Sequence, residues 1–179
     1  MDRRDFLKKS SLFSVSILIP SFAKAAQYEK VLQLYHVHTG ERRKVTFWLD
    51  GEYIPEEIES LQYFLRDFRN DEIHPIDIKV IEYLYDVSKK CSHDREIHVL
   101  SAYRSPSTNE YLRHHGGGVA KQSYHLFGKA IDFRIPGISL HHVRNTALSL
   151  HKGGVGYYPK SGFIHIDSGK PRSWRYPKS

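Results

Sequence analysis

The chain has 179 residues, 40% of them hydrophobic, which is enough apolar material for one core with accessory segments. Its single cysteine, Cys91, excludes an intramolecular disulfide, so packing, with or without a metal, has to hold the fold. The net charge of +7 falls to +4 once residues 1–25 are set aside, with Arg3, Arg4, Lys8, Lys9 and Lys24 against Asp2 and Asp5; the remainder suits an anionic polymer such as a cell wall and is short of the dense basic stripe of a nucleic-acid binder.

Residues 1–25 read as an address. Arg3-Arg4-Asp5-Phe6-Leu7-Lys8 resembles the twin-arginine export signal. The run Ser11–Pro20 is only moderately apolar, too short and too rich in serine to cross a hydrocarbon layer of ~30 Å. Ala23-Lys24-Ala25 then places small residues where a signal peptidase reads them. Cleavage after Ala25 leaves a domain over residues 26–179 in the periplasm; without cleavage the segment is an amphipathic anchor. No other segment is apolar enough to span a membrane.

In the remaining chain, Val31–His38 and Lys44–Leu49 flank Thr39-Gly40-Glu41, which predicts a β-hairpin followed by a turn at Asp50-Gly51. Pro55-Glu56-Glu57 opens a helix in which Ile58, Leu61, Leu65 and Phe68 keep helical spacing. After a loop marked by Asn70-Asp71 and His74-Pro75, a second helix is predicted over Asp77–Lys90, with Ile78, Val80, Ile81, Leu84 and Val87 on its apolar side. Cys91 falls at its end and reads as a structural thiol. Ile97–Leu100 predicts a strand, Ser105-Pro106 starts a short helix through Leu112, and Gly116-Gly117-Gly118 makes a flexible loop. Ala130–Ile135 predicts a strand, Leu140–Leu150 a helix, and Val155–Tyr158 with Phe163–Ile166 a closing strand pair. The sum is an α+β domain with a mostly antiparallel sheet.

Chemistry concentrates in three segments: Ser123-Tyr124-His125 running on to Asp132, Phe163-Ile164-His165-Ile166-Asp167, and Tyr103-Arg104-Ser105. A catalytic zinc takes three protein ligands and keeps one position open. One cysteine cannot build a thiolate site, which leaves His and carboxylate. Asp132 lies between Ile131 and Phe133, so on a strand it points away from the face that holds them. A carboxylate covered on that side needs a partner, and a metal is a natural one. His165 repeats the pattern between Ile164 and Ile166, and Asp167 shares its face. His125 sits in a loop from which Gly128 lets the chain turn tightly toward Asp132, so His125, Asp132 and His165 are the candidate ligands of one Zn2+.

These motifs resemble the zinc peptidases of the D-Ala-D-Ala carboxypeptidase and hedgehog-like group, whose first motif is Ser-x-His, six residues, then Asp, with a later strand histidine. The murein endopeptidase K-like branch is closer. Its twin-arginine signal, Tyr-Arg-Ser, Gly-Gly-Val-Gly-Tyr-Tyr and His-Ile-Asp are matched by residues 3–8, 103–105, 153–158 and 165–167. The resemblance covers nearly the whole mature chain. It implies the hedgehog/DD-peptidase fold, zinc held by His125, Asp132 and His165, and hydrolysis of peptidoglycan cross-links. The bond would join two diaminopimelates, or D-Ala to diaminopimelate. A D-Ala-trimming carboxypeptidase and a non-catalytic zinc-containing peptidoglycan-binding domain are the alternatives. A monomer is expected, with neither nucleic acid nor membrane as partner.

One departure matters. Many relatives place an acid a few residues before the last histidine as general base, yet Tyr158–Ile164 contains none. Asp167 either replaces it or accepts the second ring N–H of a bound His165. Arg104 is expected to hold a substrate carboxylate or the oxyanion, or else to be a surface ion-pair partner. Ser123 binds substrate or orders its loop, and Tyr103 reads as structural. The loop over residues 113–122 could shape one end of a groove. Of the other histidines, His36 and His38 read as packed on a strand, His114 and His115 as solvated in a loop, and His141 and His142 as surface. Trp174 reads as packing the tail over the domain, with flanking of the groove as the alternative.

Overall fold

A computed structural model describes residues 28–92, 95–115 and 119–176. The segment read as an export signal, its expected cleavage point and the triple glycine at 116–118 lie outside these residues. The strands are β1 (Glu29–His36), β2 (Arg42–Leu49), β3 (Glu52–Tyr53), β4 (Ile97–Ser101), β5 (Ala130–Arg134), β6 (Gly154–Tyr158), β7 (Phe163–Asp167) and β8 (Arg172–Arg175). The α-helices are α1 (Pro55–Phe64), α2 (Ile78–Cys91), α3 (Pro106–His115) and α4 (Leu140–Leu150), with a 3-10 turn at Tyr124–Phe127. This is the expected α+β class. All eight strands join one sheet in the order β3-β2-β1-β4-β5-β7-β6-β8. Only β1–β4 and β6–β8 run parallel; the other neighbours are antiparallel.

Local chemistry explains most boundaries. Gly40 turns the β1–β2 hairpin at φ 75°, and its N–H donates to the His36 carbonyl. Asp77 caps α2 by accepting from the Lys79 N–H at 3.0 Å. Ser139 caps α4 by accepting from the His142 N–H at 3.2 Å. The core is one cluster in which Phe47, Phe64, Leu84, Val99, Phe133, Val143, Ile164 and Ile166 are closed to solvent. Strand alternation sends Ile131, Phe133, Val155, Ile164 and Ile166 into that core. Asp132, Gly154, Gly156, His165 and Asp167 then fall on the opposite face. Among the described residues no helix is long and apolar enough to cross a membrane.

Several expectations need correction. The first helix stops at Phe64 rather than continuing through Phe68. Beyond it Asp67 turns inward, fully buried, and accepts from the backbone N–H of Arg69 and of Ser105 and from the Ser105 hydroxyl. That side chain-to-backbone bonding competes with another helical turn, and Phe68 stacks on His38 instead. Strands β3 and β8 were not foreseen. His114 and His115 lie in the last turn of α3, not in a loop, although both are exposed. His141 and His142 are exposed on α4 as expected.

Candidate metal centre

The site is built on one row of residues running across the sheet. Ser101 of β4 pairs with Asp132 of β5, Asp132 with His165 of β7, His165 with Gly156 of β6, and Gly156 with Trp174 of β8. The next row carries Ala130, Asp167, Gly154 and Arg172. Residues far apart in the chain thus stand side by side on one face.

His125 arrives from the 3-10 turn. Ser123 caps that turn, its hydroxyl accepting the His125 N–H at 3.3 Å, so loop ordering is a role the structure shows for it. Gly128 ends the turn at φ 60°, where a Cβ would lie 2.2 Å from the Pro75 carbonyl oxygen. The Tyr103-Arg104-Ser105 segment is stitched to the same turn. The His125 ring donates from Nδ1 to the Ala102 carbonyl at 2.6 Å, and the Arg104 N–H donates to the His125 carbonyl at 3.1 Å.

His125, Asp132 and His165 are all buried, and each offers a ligand atom within 4.8 Å of the others. His125 Nε2 lies 3.2 Å from His165 Nδ1 and 3.3 Å from Asp132 Oδ2, and His165 Nδ1 lies 2.8 Å from Asp132 Oδ1. The outer ring nitrogens fix the tautomers. The Ala102 carbonyl only accepts, so His125 Nδ1 carries hydrogen. Asp167, an ionised carboxylate, accepts from His165 Nε2 at 3.1 Å. In the neutral rings, His125 Nε2 and His165 Nδ1 are then bare lone pairs facing each other and the Asp132 carboxylate. Three acceptors converging in a buried place oppose one another, and a cation between them would relieve this. Zinc ligands at ~2.0–2.1 Å in a tetrahedron stand about 3.3 Å apart, so the donor set fits such an ion.

The electrostatics agree. Burial foremost lowers the His125 pKa, keeping the ring neutral. Burial alone would raise the Asp132 carboxyl, but the His125 and His165 imidazoles outweigh it and hold it below the ordinary carboxylate range. Burial would lower His165, yet hydrogen bonds and charge from Asp132 and Asp167 overcome this and raise it. A proton on His165 thus partly answers the demand that a divalent ion would meet fully.

Asp167 stands behind His165 and does not line the cleft. It is fully buried, and its Oδ1 accepts from Gly154 N–H, Gly169 N–H and Arg172 Nη1 at 3.2, 2.9 and 2.9 Å. Its Oδ2 accepts from Arg172 Nη2 at 2.7 Å as well as from His165. Against the raising effect of burial, these donors depress its pKa. The glycine motif makes this clamp possible: a Cβ on Gly154 would lie 2.4 Å from Asp167 Oδ2 and from Arg172 Nη1.

A cleft of about 380 Å³ opens over the three residues. Arg104 lines it, only 9% exposed, and its Nε has no hydrogen-bond partner. Among the described residues it makes no ion pair, so the surface-pair reading fails; burial foremost lowers its pKa. Ser123 lines the cleft too, with Val119, Ala120 and Gln122 from the 113–122 segment, whose first three residues belong to α3. Of the two readings of Trp174, the structure supports the groove rather than the core. The side chain is half-buried in the cleft wall, its ring 5.1 Å from that of His165 and its Nε1–H donated to the Tyr158 hydroxyl at 2.9 Å. Sequence reasoning missed Arg172, and with it the strand β8 that carries both residues; the glycines opposite were the available signal. Tyr103 is structural, donating to Glu72 at 2.7 Å. His36 is packed against Phe64 and Phe68 and is no part of the site.

A family model described as peptidoglycan L,D-endopeptidase MepK matches residues 24–174. The peptidoglycan L,D-endopeptidase MepK of Escherichia coli (strain K12) is 43% identical over 156 residues, 87% of this chain and 86% of that protein. The protein of that name from Shigella flexneri gives the same figures. The probable peptidoglycan L,D-endopeptidase MepK of Haemophilus influenzae is 42% identical over 147 residues, 82% of this chain and 79% of that protein. No solved structure gives a significant match. With the family model spanning nearly all of the described domain, the chain belongs to the MepK family of murein endopeptidases.

Proposed function

We propose that the chain is an exported zinc metallopeptidase that hydrolyses peptide cross-links of peptidoglycan, its metal held by His125 Nε2, an Asp132 oxygen and His165 Nδ1. The convergence of three buried acceptors at the floor of a cleft carries this reading. The family supports the substrate, and we take the fold to be of the hedgehog/DD-peptidase type. Zinc held there supplies Lewis-acid polarisation of the scissile carbonyl and acidifies the attacking water, from a pKa of ~15.7 toward ~7. Export by the twin-arginine route, with residues 1–25 as signal, delivers a folded monomer to the periplasm.

The chain's own groups divide the remaining work. Asp167 holds the His165 Nε2–H and, clamped by Arg172, turns Nδ1 toward the cleft. Its place behind the ring favours this orienting role over that of general base. The relatives' names specify an L,D bond, which favours one of the two linkages. In a diaminopimelate–diaminopimelate cross-link, the carbonyl belongs to an L centre and the amine to a D centre; D-Ala to diaminopimelate is D,D. The D centre also keeps a free carboxylate beside the scissile nitrogen. Arg104, with an unused Nε, is the cation for that carboxylate. Ser123, which lines the cleft, is the proposed hydrogen-bonding partner for substrate beside its loop-ordering role.

Purified muropeptide dimers of each linkage, incubated with the zinc-loaded chain with and without chelator and analysed by mass spectrometry, test this. The expected result is monomers from the diaminopimelate–diaminopimelate dimer, abolished by chelator and restored by zinc. Binding without cleavage of any linkage would favour the non-catalytic alternative, and release of terminal D-Ala alone the carboxypeptidase.

A further inference from the structure

The motif Gly153-Gly154-Val155-Gly156-Tyr157-Tyr158 ends on a residue to which the account above gives no task. Tyr158 alternates onto the same face as Gly154 and Gly156 and lines the cleft with Arg104, Asp132, His125 and His165. Its ring is fixed from two sides: it stacks on Phe163, its cross-strand neighbour, with centroids 4.5 Å apart, and Tyr176 lies at 5.7 Å. Its hydroxyl is fixed as well. Trp174 Nε1–H, which can only donate, is bonded to the Tyr158 oxygen at 2.9 Å. That bond occupies an acceptor position and leaves the phenolic hydrogen to be given elsewhere. Tyr158 lines the same cleft as the proposed metal ligand Asp132 and the proposed carboxylate anchor Arg104, close enough for the charge of each to act on its hydroxyl. Burial foremost raises its pKa, which keeps the proton on the oxygen at neutral pH.

Resting on the peptidase reading, we propose that the Tyr158 hydroxyl is a catalytic hydrogen-bond donor to the oxyanion at the scissile carbonyl, with Trp174 as its positioning residue. In the hydrolysis, the water oxygen bonds to the carbonyl carbon and the C=O π pair moves onto the carbonyl oxygen. Collapse restores C=O and breaks C–N. Both water protons end on the departing amine, giving a carboxylate and an ammonium. Tyr158 shares its proton with the oxyanion and keeps it throughout. Fixed donors aimed at developing charge in a water-poor cleft need no reorganisation at the moment of reaction. Gly156 is the structural condition for this arrangement: a Cβ there would lie 2.7 Å from the Trp174 ring.

Steady-state kinetics on the diaminopimelate–diaminopimelate dimer, with zinc content measured in the same preparations, test the proposal. Tyr158→Phe keeps the ring and should lower kcat by about 100-fold with KM and zinc content within twofold of wild type. Trp174→Phe keeps an aromatic wall without the N–H and should lower kcat about fivefold, roughly the loss of an orienting bond. A tetrahedral phosphinate analogue of the linkage should bind Tyr158→Phe about 100-fold more weakly. Unchanged kcat in Tyr158→Phe, a loss confined to KM, or loss of zinc overturns the inference and leaves the peptidase reading standing. No cleavage by wild type overturns both.

Discussion

Asp132 and His165 are directly paired on adjacent antiparallel strands, and the carboxylate oxygen of one lies 2.8 Å from Nδ1 of the other. This pairing fixes the register of the whole site. It sets Gly156 beside His165 and Trp174 beside Gly156, and it puts Asp167 one row away, where it can reach only the far nitrogen of the His165 ring. A one-residue slip of β7 would send the imidazole into the apolar core.

Asp167→Asn separates the orienting role from the base. The amide keeps the volume but loses the charge that Arg172 and the His165 N–H bind. Zinc affinity should fall about 10–100-fold, as for other partners of metal-bound histidines. At saturating zinc, kcat should stay within about tenfold of wild type. Losing a general base instead costs about 10²–10⁴ in rate with zinc fully bound. Metal titration paired with kinetics at saturating zinc decides between them.

Arg104→Gln should act through the substrate carboxylate. With a free carboxylate on the D-centre carbon, kcat/KM should fall about 100-fold, consistent with loss of a buried charge-assisted pair of ~2–3 kcal/mol. With the same carboxylate amidated, wild type should already be slow and the variant should cost only a few-fold. Kinetics on the two substrates provide the check, and equal losses on both would assign Arg104 to the oxyanion.

Gly156→Ala should damage the site more than the fold. The new methyl meets the Trp174 ring at 2.7 Å and also Tyr158 at 2.8 Å. Overpacking of this kind costs about 1–3 kcal/mol. Because β8 is the sheet's edge, Trp174 can yield outward. Thermal unfolding should show a modest loss of stability, whereas kcat should drop about tenfold or more, beyond the fivefold of losing the Trp174 bond alone, because the methyl also displaces the Tyr158 ring itself.

His36 gives the chain an acid-sensitive term away from the metal centre. The side chain is 1% exposed, and its Nδ1 accepts from the His38 and Thr39 N–H groups. Burial foremost, then His38, with Arg66 and Arg69, outweighs Glu41 and lowers its pKa from 6.5 to about 4. The unfolded chain therefore binds this proton more readily. The stability at issue is present above pH 6.5 and is lost as pH falls toward 4, by about 3 kcal/mol at most. His36→Asn keeps an acceptor near Nδ1 but does not titrate. Chemical denaturation across that window should show a steeper decline for wild type than for the variant.

Much of the site was legible because burial leaves a period-2 trace. Asp132 between Ile131 and Phe133, and His165 between Ile164 and Ile166, announced polar groups on one face of otherwise apolar strands. The helix over Leu140–Leu150 was legible in full, and the structure adds the Ser139 cap that opens it. Strand β8 was not, since Arg172-Ser173-Trp174-Arg175 has no apolar alternation and pairs along one edge only. Its place is set by two glycines on another strand, a tertiary condition with no local signature. Phe68 misled because its helical spacing is genuine, while the buried Asp67 beside it ends the helix. For Asp167 the face could be read but not the depth, and depth is what places it behind His165, away from the cleft.

Crystallographic anomalous scattering at the zinc absorption edge, on the zinc-loaded chain, tests the central claim most directly. The account predicts one peak per chain, bonded to His125 Nε2, His165 Nδ1 and an Asp132 oxygen at ~2.0–2.2 Å, and absent from Asp132→Ala. A peak held by other residues, or none at these three, would contradict it.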